Sequence, residues 1–521
     1  FFLINEDIMN KKKIINILIQ FSIFALSLVL FLVARLTAPA TDLDEVWNYN
    51  TANAFAMGLI PYKQVSMITT PLLPMINSIF LKIFFNGIIT YRVVMGIIFA
   101  LIVLFIYLII RELSNKRLLS YICAFFIGTL LIKNFLLDYN YLFLLIVLMI
   151  AFLEVRDLKK NENFNFNHNL CVGLLTGLAF LIKQTIGLLL IIVVIFEVFI
   201  YMKKTGFDFK FIKFIKLIGV RIFGMMVPIT MFLIYLGVNG AFNDFINYAI
   251  KGVREFSNNA PYYRLFDSND KVVSIISRLF IIVYIPLFIT FILECIKNKK
   301  LKDELINIYI LALCSIQVIA IIYPISDDFH LMVASVFALI VVAYLFILVL
   351  KKIDGFIKID IFYKKLLLIG ILFIIVLISF KNVIIERNIN VKENVLVPFK
   401  HYEGIYVPEY LSKRISDVTD KVQAYSNSGR ESIIVDAEAA IYDIVLNRYK
   451  KNYDMLLIGN IGENGVEKII NEIKDSHNVY YFVKNPQYAL NWQLPENIVD
   501  YIRNNLKYHE TVSVFDVYYK D

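Results

Sequence analysis

The segment Thr41-Asp42-Leu43-Asp44-Glu45-Val46-Trp47-Asn48-Tyr49, continued by Gly58-Leu59-Ile60-Pro61-Tyr62, puts three carboxylates and several aromatic rings directly after an apolar run. A carboxylate at a membrane surface can take the proton of a hydroxyl as its oxygen attacks an electrophilic carbon. The same residues also suit a solvated loop that is merely acidic. Asp138, in Leu136-Leu137-Asp138-Tyr139-Asn140-Tyr141, interrupts what is otherwise one long hydrophobic stretch, and Lys183, in Leu181-Ile182-Lys183-Gln184-Thr185, does likewise. Ionisable groups near membrane depth are costly, so each either faces a polar cavity or marks a tight turn between helices. His330, closing Tyr323-Pro324-Ile325-Ser326-Asp327-Asp328-Phe329-His330, starts an apolar run and is placed to meet an anionic headgroup.

The elements that must position these residues are hydrophobic. With 59% hydrophobic and 18% charged residues, and a mean hydropathy of +0.69, the chain has the bilayer as its solvent over most of its length. Apolar runs cover roughly 14–34, 92–110, 118–136, 139–153, 170–182, 185–201, 217–236, 272–293, 305–323, 331–350 and 366–380, about eleven transmembrane helices. Residues 71–85 form a shorter run that opens on Pro-Leu-Leu-Pro and contains Lys82, as expected of a helix lying at the interface. The first run follows Lys11-Lys12-Lys13 but lacks a small-residue cleavage site, so it reads as a retained helix.

The net charge of +9 does not imply a nucleic-acid partner, because the basic residues fall in short runs between apolar spans, where membrane orientation requires them. Those runs sit around Arg111, Arg156, Lys203, Lys299, Lys351 and Lys364, and by the positive-inside rule they face the cytoplasm with the amino terminus. The acidic segment, Asp138, Lys183, the Asp327-Asp328 turn and the carboxyl tail then lie outside. The four cysteines, Cys123, Cys171, Cys295 and Cys314, all fall in apolar stretches and show neither a disulfide framework nor zinc-ligand spacing. A divalent ion on the carboxylates is possible, although no ligand spacing demands one; no other cofactor is implied.

Two domains are expected, 11–385 in the membrane and 386–521 as an extracytoplasmic α/β domain. In the latter, strands are expected at 432–435, 479–483 and 512–519, and helices at 437–448, 465–474 and 497–506. Gly459, Gly462 and Gly465 lack the strand-loop-helix context of a phosphate loop and read as turn glycines.

The order of Asp44-Glu45, Gly58 before Pro61-Tyr62, the run from Pro71, Tyr91-Arg92, Leu137-Asp138, Gly173 to Lys183 and Tyr323-Pro324 resembles the GT-C superfamily. The resemblance is closest to the bacterial branch related to protein mannosyltransferases and aminoarabinose transferases, and it covers roughly residues 11–380. It implies a GT-C-like polytopic fold and a glycosyltransferase that moves a hexosyl or pentosyl unit from a polyprenyl-phosphate donor on the outer face of a bacterial plasma membrane. The acceptor would be a glycan, a lipid or a protein. Under it Asp44 corresponds to the catalytic carboxylate, Glu45 to the neighbour that orders the segment, Asp138 to a second outer acid and Lys183 to a cavity lysine. His330 and Arg92 correspond to ligands of the lipid phosphate, and Tyr49 to the tyrosine that follows Asp-Glu. Tyr49 stands one place later than in the family, and Tyr139 replaces a common proline, so Asp42 and Asp44 both remain open as the base. Trp47, Tyr62, Tyr262 and Tyr263 can stack on sugar faces or serve as interfacial anchors. The alternative, a transporter or flippase of lipid-linked sugars, lacks an inverted repeat or paired Gly/Pro-broken spans.

Overall fold

The structure, a computed structural model, describes all residues except 1, 41–42, 134, 161–164, 205–210, 256–259, 298–302, 324, 357–359 and 490–494. In hydrocarbon a backbone must satisfy its own polar groups, and a helix does so within one segment, so the apolar runs become helices. In order these are α1 (Phe2–Arg35), α2 (Leu43–Ala56), α3 (Leu72–Ile83), α4 (Ile88–Ser114), α5 (Arg117–Lys133), α6 (Tyr139–Lys160) and α7 (Phe166–Phe180). There follow α8 (Gln184–Lys204), α9 (Phe211–Val238), α10 (Phe242–Phe245), α11 (Lys271–Lys297), α12 (Asp303–Ile319), α13 (Asp328–Phe356) and α14 (Ile361–Glu393). The carboxyl-terminal part adds α15 (Glu409–Asn427), α16 (Ala440–Val445), α17 (Gly465–Asp475) and α18 (Glu496–Asn505).

Among the described residues eight helices are long and apolar enough to cross a membrane: α1, α4, α6, α9, α11, α12, α13 and α14. Helices α5, α7 and α8 occupy the other three apolar runs. Helix α3 has 12 residues. At 1.5 Å per residue it is about 18 Å long, too short for a hydrocarbon core of about 30 Å. The acidic segment is not a loop: Leu43–Ala56 forms α2, and every residue from Glu45 to Phe55 is buried.

The chain divides into two compact units. The first comprises Phe1–Ala34, Met95–Ile229 and Asn259–Glu386. Within it α12 packs on α6 and α8, α13 on α5 and α11, and α6 on α7. Gly173 and Gly224 let α7 and α9 approach closely. A Cβ on Gly224 would stand 2.6 Å from the Leu170 oxygen, and one on Gly173 would fall on the Arg221 carbonyl. Small residues serve membrane helices this way because backbone contact replaces side-chain packing. Beside this contact Arg221, 4% exposed, donates to Asn169 Oδ1 (2.7 Å), Glu197 Oε2 (2.9 Å) and Glu154 Oε1 (2.7 Å), tying α6, α7, α8 and α9 together.

The second unit comprises Arg35–Val94, Thr230–Asn258 and Arg387–Asp521. A four-stranded sheet of order β3-β4-β6-β5 is built from β3 (Glu431–Val435), β4 (Val479–Lys484), β5 (Lys507–Val512) and β6 (Phe515–Lys520), after a short pair β1 (Val395–Leu396) and β2 (Tyr406–Val407). Strands β3 and β4 are parallel, whereas β6 runs antiparallel to both of its neighbours. Alternate residues Ile433, Val435, Val479, Tyr481 and Val483 bury one face against Ile469 and Ile473 of α17 and Ile498 and Ile502 of α18. On the other face Tyr425 of α15 stacks on Tyr480 at 3.8 Å. The strand expected at 512–519 is a hairpin instead, turning at Ser513 with φ +54°.

The same unit clasps α2 from several sides. Helix α3 packs along it and α16 touches it. His401 Nδ1 donates to Asn86 O (2.6 Å) and its Nε2 meets Asn447 Oδ1 (2.9 Å), and Ala40 N donates to Tyr406 O at 3.0 Å. Ser66 Oγ donates to Asp454 Oδ1 (3.1 Å) and accepts from Asn452 N (2.9 Å). Burial pushes the Asp454 carboxyl up to about 7, against hydrogen bonds from Tyr449 and Ser66.

Candidate functional site

In the first unit, three positions far apart in sequence share one polar cluster. Asp138 immediately precedes α6, and its Oδ1 accepts from Asn140 N at 3.0 Å, the bond expected of an N-cap carboxylate. Its Oδ2 accepts from Asn140 Nδ2 at 2.5 Å. Asn140 Oδ1 in turn accepts from Lys183 Nζ at 3.1 Å, and that ammonium lies 5.2 Å from the Tyr139 ring centroid. Lys183 directly precedes α8. The third member, His330, lies in the first turn of α13, where Asp327 Oδ1 accepts from its backbone N (2.8 Å) and pairs with its Nδ1 (2.7 Å).

Asp138 is 3% exposed, and burial pushes its carboxyl up to about 6, against the opposing charges of His330 and Lys183 and the Asn140 hydrogen bonds. Helix amino termini carry partial positive charge. Those of α6, α8 and α13, with one ammonium and one imidazole, therefore make a setting suited to an anion such as a phosphate. Asn140 and Asp327 escaped the sequence reading. The signal for Asp327 was its spacing of three from His330, the N-cap pattern.

In the second unit, Asp44 and Glu45 stand in the first turn of α2 and differ sharply. Asp44 is half-buried, and its carbonyl accepts from Asn48 Nδ2 at 2.8 Å. Glu45 is 2% exposed and grips Arg92, with Nε to Oε1 at 2.5 Å and Nη2 to Oε2 at 2.8 Å. Arg92 Nη1 also donates to Arg35 O and Ala38 O, both at 2.7 Å. Arg92 was expected to meet a lipid phosphate. Buried at 1% exposure, with its guanidinium turned onto Glu45 and the 35–38 backbone, it instead fixes the entry to α2.

The two tyrosines expected to touch substrate are also fully buried. Tyr49 donates to Asn86 Oδ1 at 3.0 Å and packs edge-on against Tyr91. Tyr62, at φ +63°, donates to Thr69 O at 2.8 Å and packs against Phe232 and Phe245. In both, the hydroxyl is spent on an oxygen of the same unit. Of the other aromatics, Tyr262 donates to Ser277 O at 2.8 Å, whereas Tyr263 is 66% exposed. Asp42 lies outside the described residues. Among the described residues no group of three or more His, Cys, Asp or Glu side chains is gathered as a metal site.

Residues 69–232 match the family described as dolichyl-phosphate-mannose-protein mannosyltransferase. No curated protein sequence matches the chain. Among solved structures, ArnT from Cupriavidus metallidurans bound to undecaprenyl phosphate is similar with a TM-score of 0.53 at 11% identity, over 95% of this chain and 97% of that one. The same protein in the apo state gives 0.52 at 10% identity, over 95% and 96%. The apo oligosaccharyltransferase of Archaeoglobus fulgidus gives 0.50 at 11% identity, over 89% of this chain and 69% of that one. At such identities the likeness is one of fold. The chain is therefore a multi-pass membrane protein that shares the fold of the ArnT structure.

Proposed function

We infer that the protein is a membrane glycosyltransferase that moves a sugar from a polyprenyl-phosphate donor to a cell-envelope acceptor, with inversion at the anomeric carbon. The observation that carries this is the cluster of Asp138, Asn140, Lys183 and His330, which gathers an ammonium, an imidazole and helix amino termini in the first unit. A lipid phosphate is the anion that a membrane protein of this fold can be offered from within the bilayer. The match of residues 69–232 to a family named for a lipid-phosphate sugar donor supports the same reading, as does the undecaprenyl phosphate held by the ArnT structure.

In the proposed reaction an acceptor hydroxyl gives its proton to Asp44, with Asp42 as the other carboxylate open to that role. The oxygen forms its bond to the anomeric carbon while the carbon–oxygen bond to phosphate breaks on the opposite face. The electron pair leaves on the phosphate, where basic residues offset the growing negative charge. The basic runs between spans support an orientation with the amino terminus in the cytoplasm, and residues 11–385 and 386–521 are read as the membrane and extracytoplasmic domains.

The test is to incubate the purified full-length protein with a panel of polyprenyl-phosphate sugars and follow release of polyprenyl phosphate. Asp44→Asn should abolish transfer with the protein still folded. Transfer that survives in both Asp44→Asn and Asp42→Asn would overturn the assignment of the base, and no donor consumed by the wild type would overturn the reaction.

A further inference from the structure

Helix α2 is unusual in its chemistry. It is buried from Glu45 to Phe55, yet it carries Asn48, Asn50, Thr51 and Asn53, residues that neither favour helix interiors nor gain from apolar surroundings. Some of these are accounted for. Asn48 Nδ2 bonds Asp44 O (2.8 Å), Thr51 Oγ1 bonds Trp47 O (3.1 Å), and Asn53 Oδ1 accepts from Asn86 Nδ2 (2.8 Å). Two are not. Asn50 is 0% exposed, and neither its Oδ1 nor its Nδ2 has a hydrogen-bond partner among the described residues. Trp47 is 6% exposed, and its indole Nε1 has none either.

Nearly all buried polar groups in folded proteins are paired, so two such side chains one helical turn apart call for a reason. They follow Asp44 at steps of three residues, which places them on adjoining turns, about 4.5 and about 9 Å along the axis from it. An indole offers one donor and a flat face, and a carboxamide offers donor and acceptor together. The ligand chemistry that meets both is a ring bearing several hydroxyls. If Asp44 takes the proton of the attacking hydroxyl, the ring whose anomeric carbon is attacked must lie beside Asp44, within reach along α2.

The geometry points to Trp47 and Asn50 as the residues that read the hydroxyls of the transferred sugar, and so as specificity determinants beside Asp44. This rests on the glycosyltransferase reading above. A polar group kept buried for a ligand carries a signature that a structural one lacks: an apolar residue of the same shape should leave the fold as stable or more so, and should damage only recognition.

The experiment uses the full-length protein with Asn50→Leu and, as a milder change that keeps the ring but removes the N–H, Trp47→Phe. Each is assayed for thermal midpoint and for kcat/KM on the preferred donor and on its mono-deoxy analogues. The wild type should prefer the full sugar over at least one deoxy analogue by about tenfold or more, and this ratio should fall towards one in either variant. The thermal midpoint of Asn50→Leu should be unchanged or raised. Discrimination unchanged in both variants overturns the inference. So does an Asn50→Leu protein that is less stable yet equally selective, which would assign the amide to internal structure. A wild type that consumes none of the donors is a different result: it removes the enzymatic reading itself, and this inference falls with it.

Discussion

Removing both partners of the Glu45–Arg92 pair should cost much less than the sum of removing each alone. The pair is closed on both sides, since the side chains are 3% and 1% exposed and two of the guanidinium bonds go to one carboxylate. Taking away one member of such a pair strands the other charge, at a cost of about 3–5 kcal/mol. Arg92→Met also frees the Arg35 and Ala38 carbonyls, so it belongs near the top of that range, about 5 kcal/mol. Glu45→Gln keeps an acceptor for one N–H and belongs near the bottom, about 3 kcal/mol. The double variant Glu45→Leu with Arg92→Met buries no charge and should recover about 3 kcal/mol relative to the sum of Glu45→Leu and Arg92→Met, roughly a hundredfold in the folding equilibrium. The measurement is unfolding in mixed micelles, followed by tryptophan fluorescence in a Trp492→Phe background, which isolates Trp47 on the helix that the pair secures. Effects that add within about 0.5 kcal/mol would show that the two charges do not depend on each other and would refute the argument. Kinetics supply a second check. As an anchor of α2, Arg92 replaced by Lys should lower kcat and leave KM for the donor nearly unchanged, whereas a phosphate ligand would raise KM.

Two more predictions concern the first unit. Because the Asp138 carboxyl is raised from 3.8 to about 6, the native state holds that proton more tightly than the unfolded chain. Its contribution is present below about pH 4 and is lost as pH rises to about 6, by about 3 kcal/mol in all. Thermal midpoints of the wild type and Asp138→Asn measured from pH 4 to 8 should diverge across that window, and parallel profiles would contradict the assignment. Gly173→Ala should destabilise by about 1–3 kcal/mol by driving a methyl into the Arg221 carbonyl and parting α7 from α9. An alanine protein as stable as the wild type would show that these backbones are not in contact.

Hydropathy located the apolar helices because a span is long and its signal is additive over many residues. The chemistry-bearing elements were harder to see. Asp44 and Glu45 were legible as carboxylates, but not as the first turn of a helix, because α2 is rich in asparagine and owes its form to α3 and α16 packed around it, tertiary contact overriding weak propensity. Asp138 and Lys183 stood out as breaks in apolar sequence, yet the Asn140 amide that bridges them gave no sign of its own. The turn at Ser513-Val514 lacks the Asn-Gly signature of a tight hairpin, so the strand expected at 512–519 ran through the turn into β6 and left β5 unread. The Arg221 network did leave a signal, a lone base at Arg221 in one apolar run and a lone acid at Glu197 in another.

What separates structural from functional polar residues here is how completely the fold itself satisfies them. Arg92 and Arg221 are the most conspicuous charges in apolar surroundings, and each is met by carboxylates and amide or carbonyl oxygens of its own unit. A cation held that way has little left to offer a ligand, and its removal should be felt first in stability. Lys183, Asp44 and His330 are partly exposed at helix starts, where displacing a neighbour costs less and a bound anion or hydroxyl gains more. Asn50 and the Trp47 indole go further, buried with no hydrogen-bond partner among the described residues. On this reasoning substitutions should sort into two groups: Arg92 and Arg221 variants should lose folded protein before they lose specific activity, whereas Lys183 and Asn50 variants should fold and fail at the substrate.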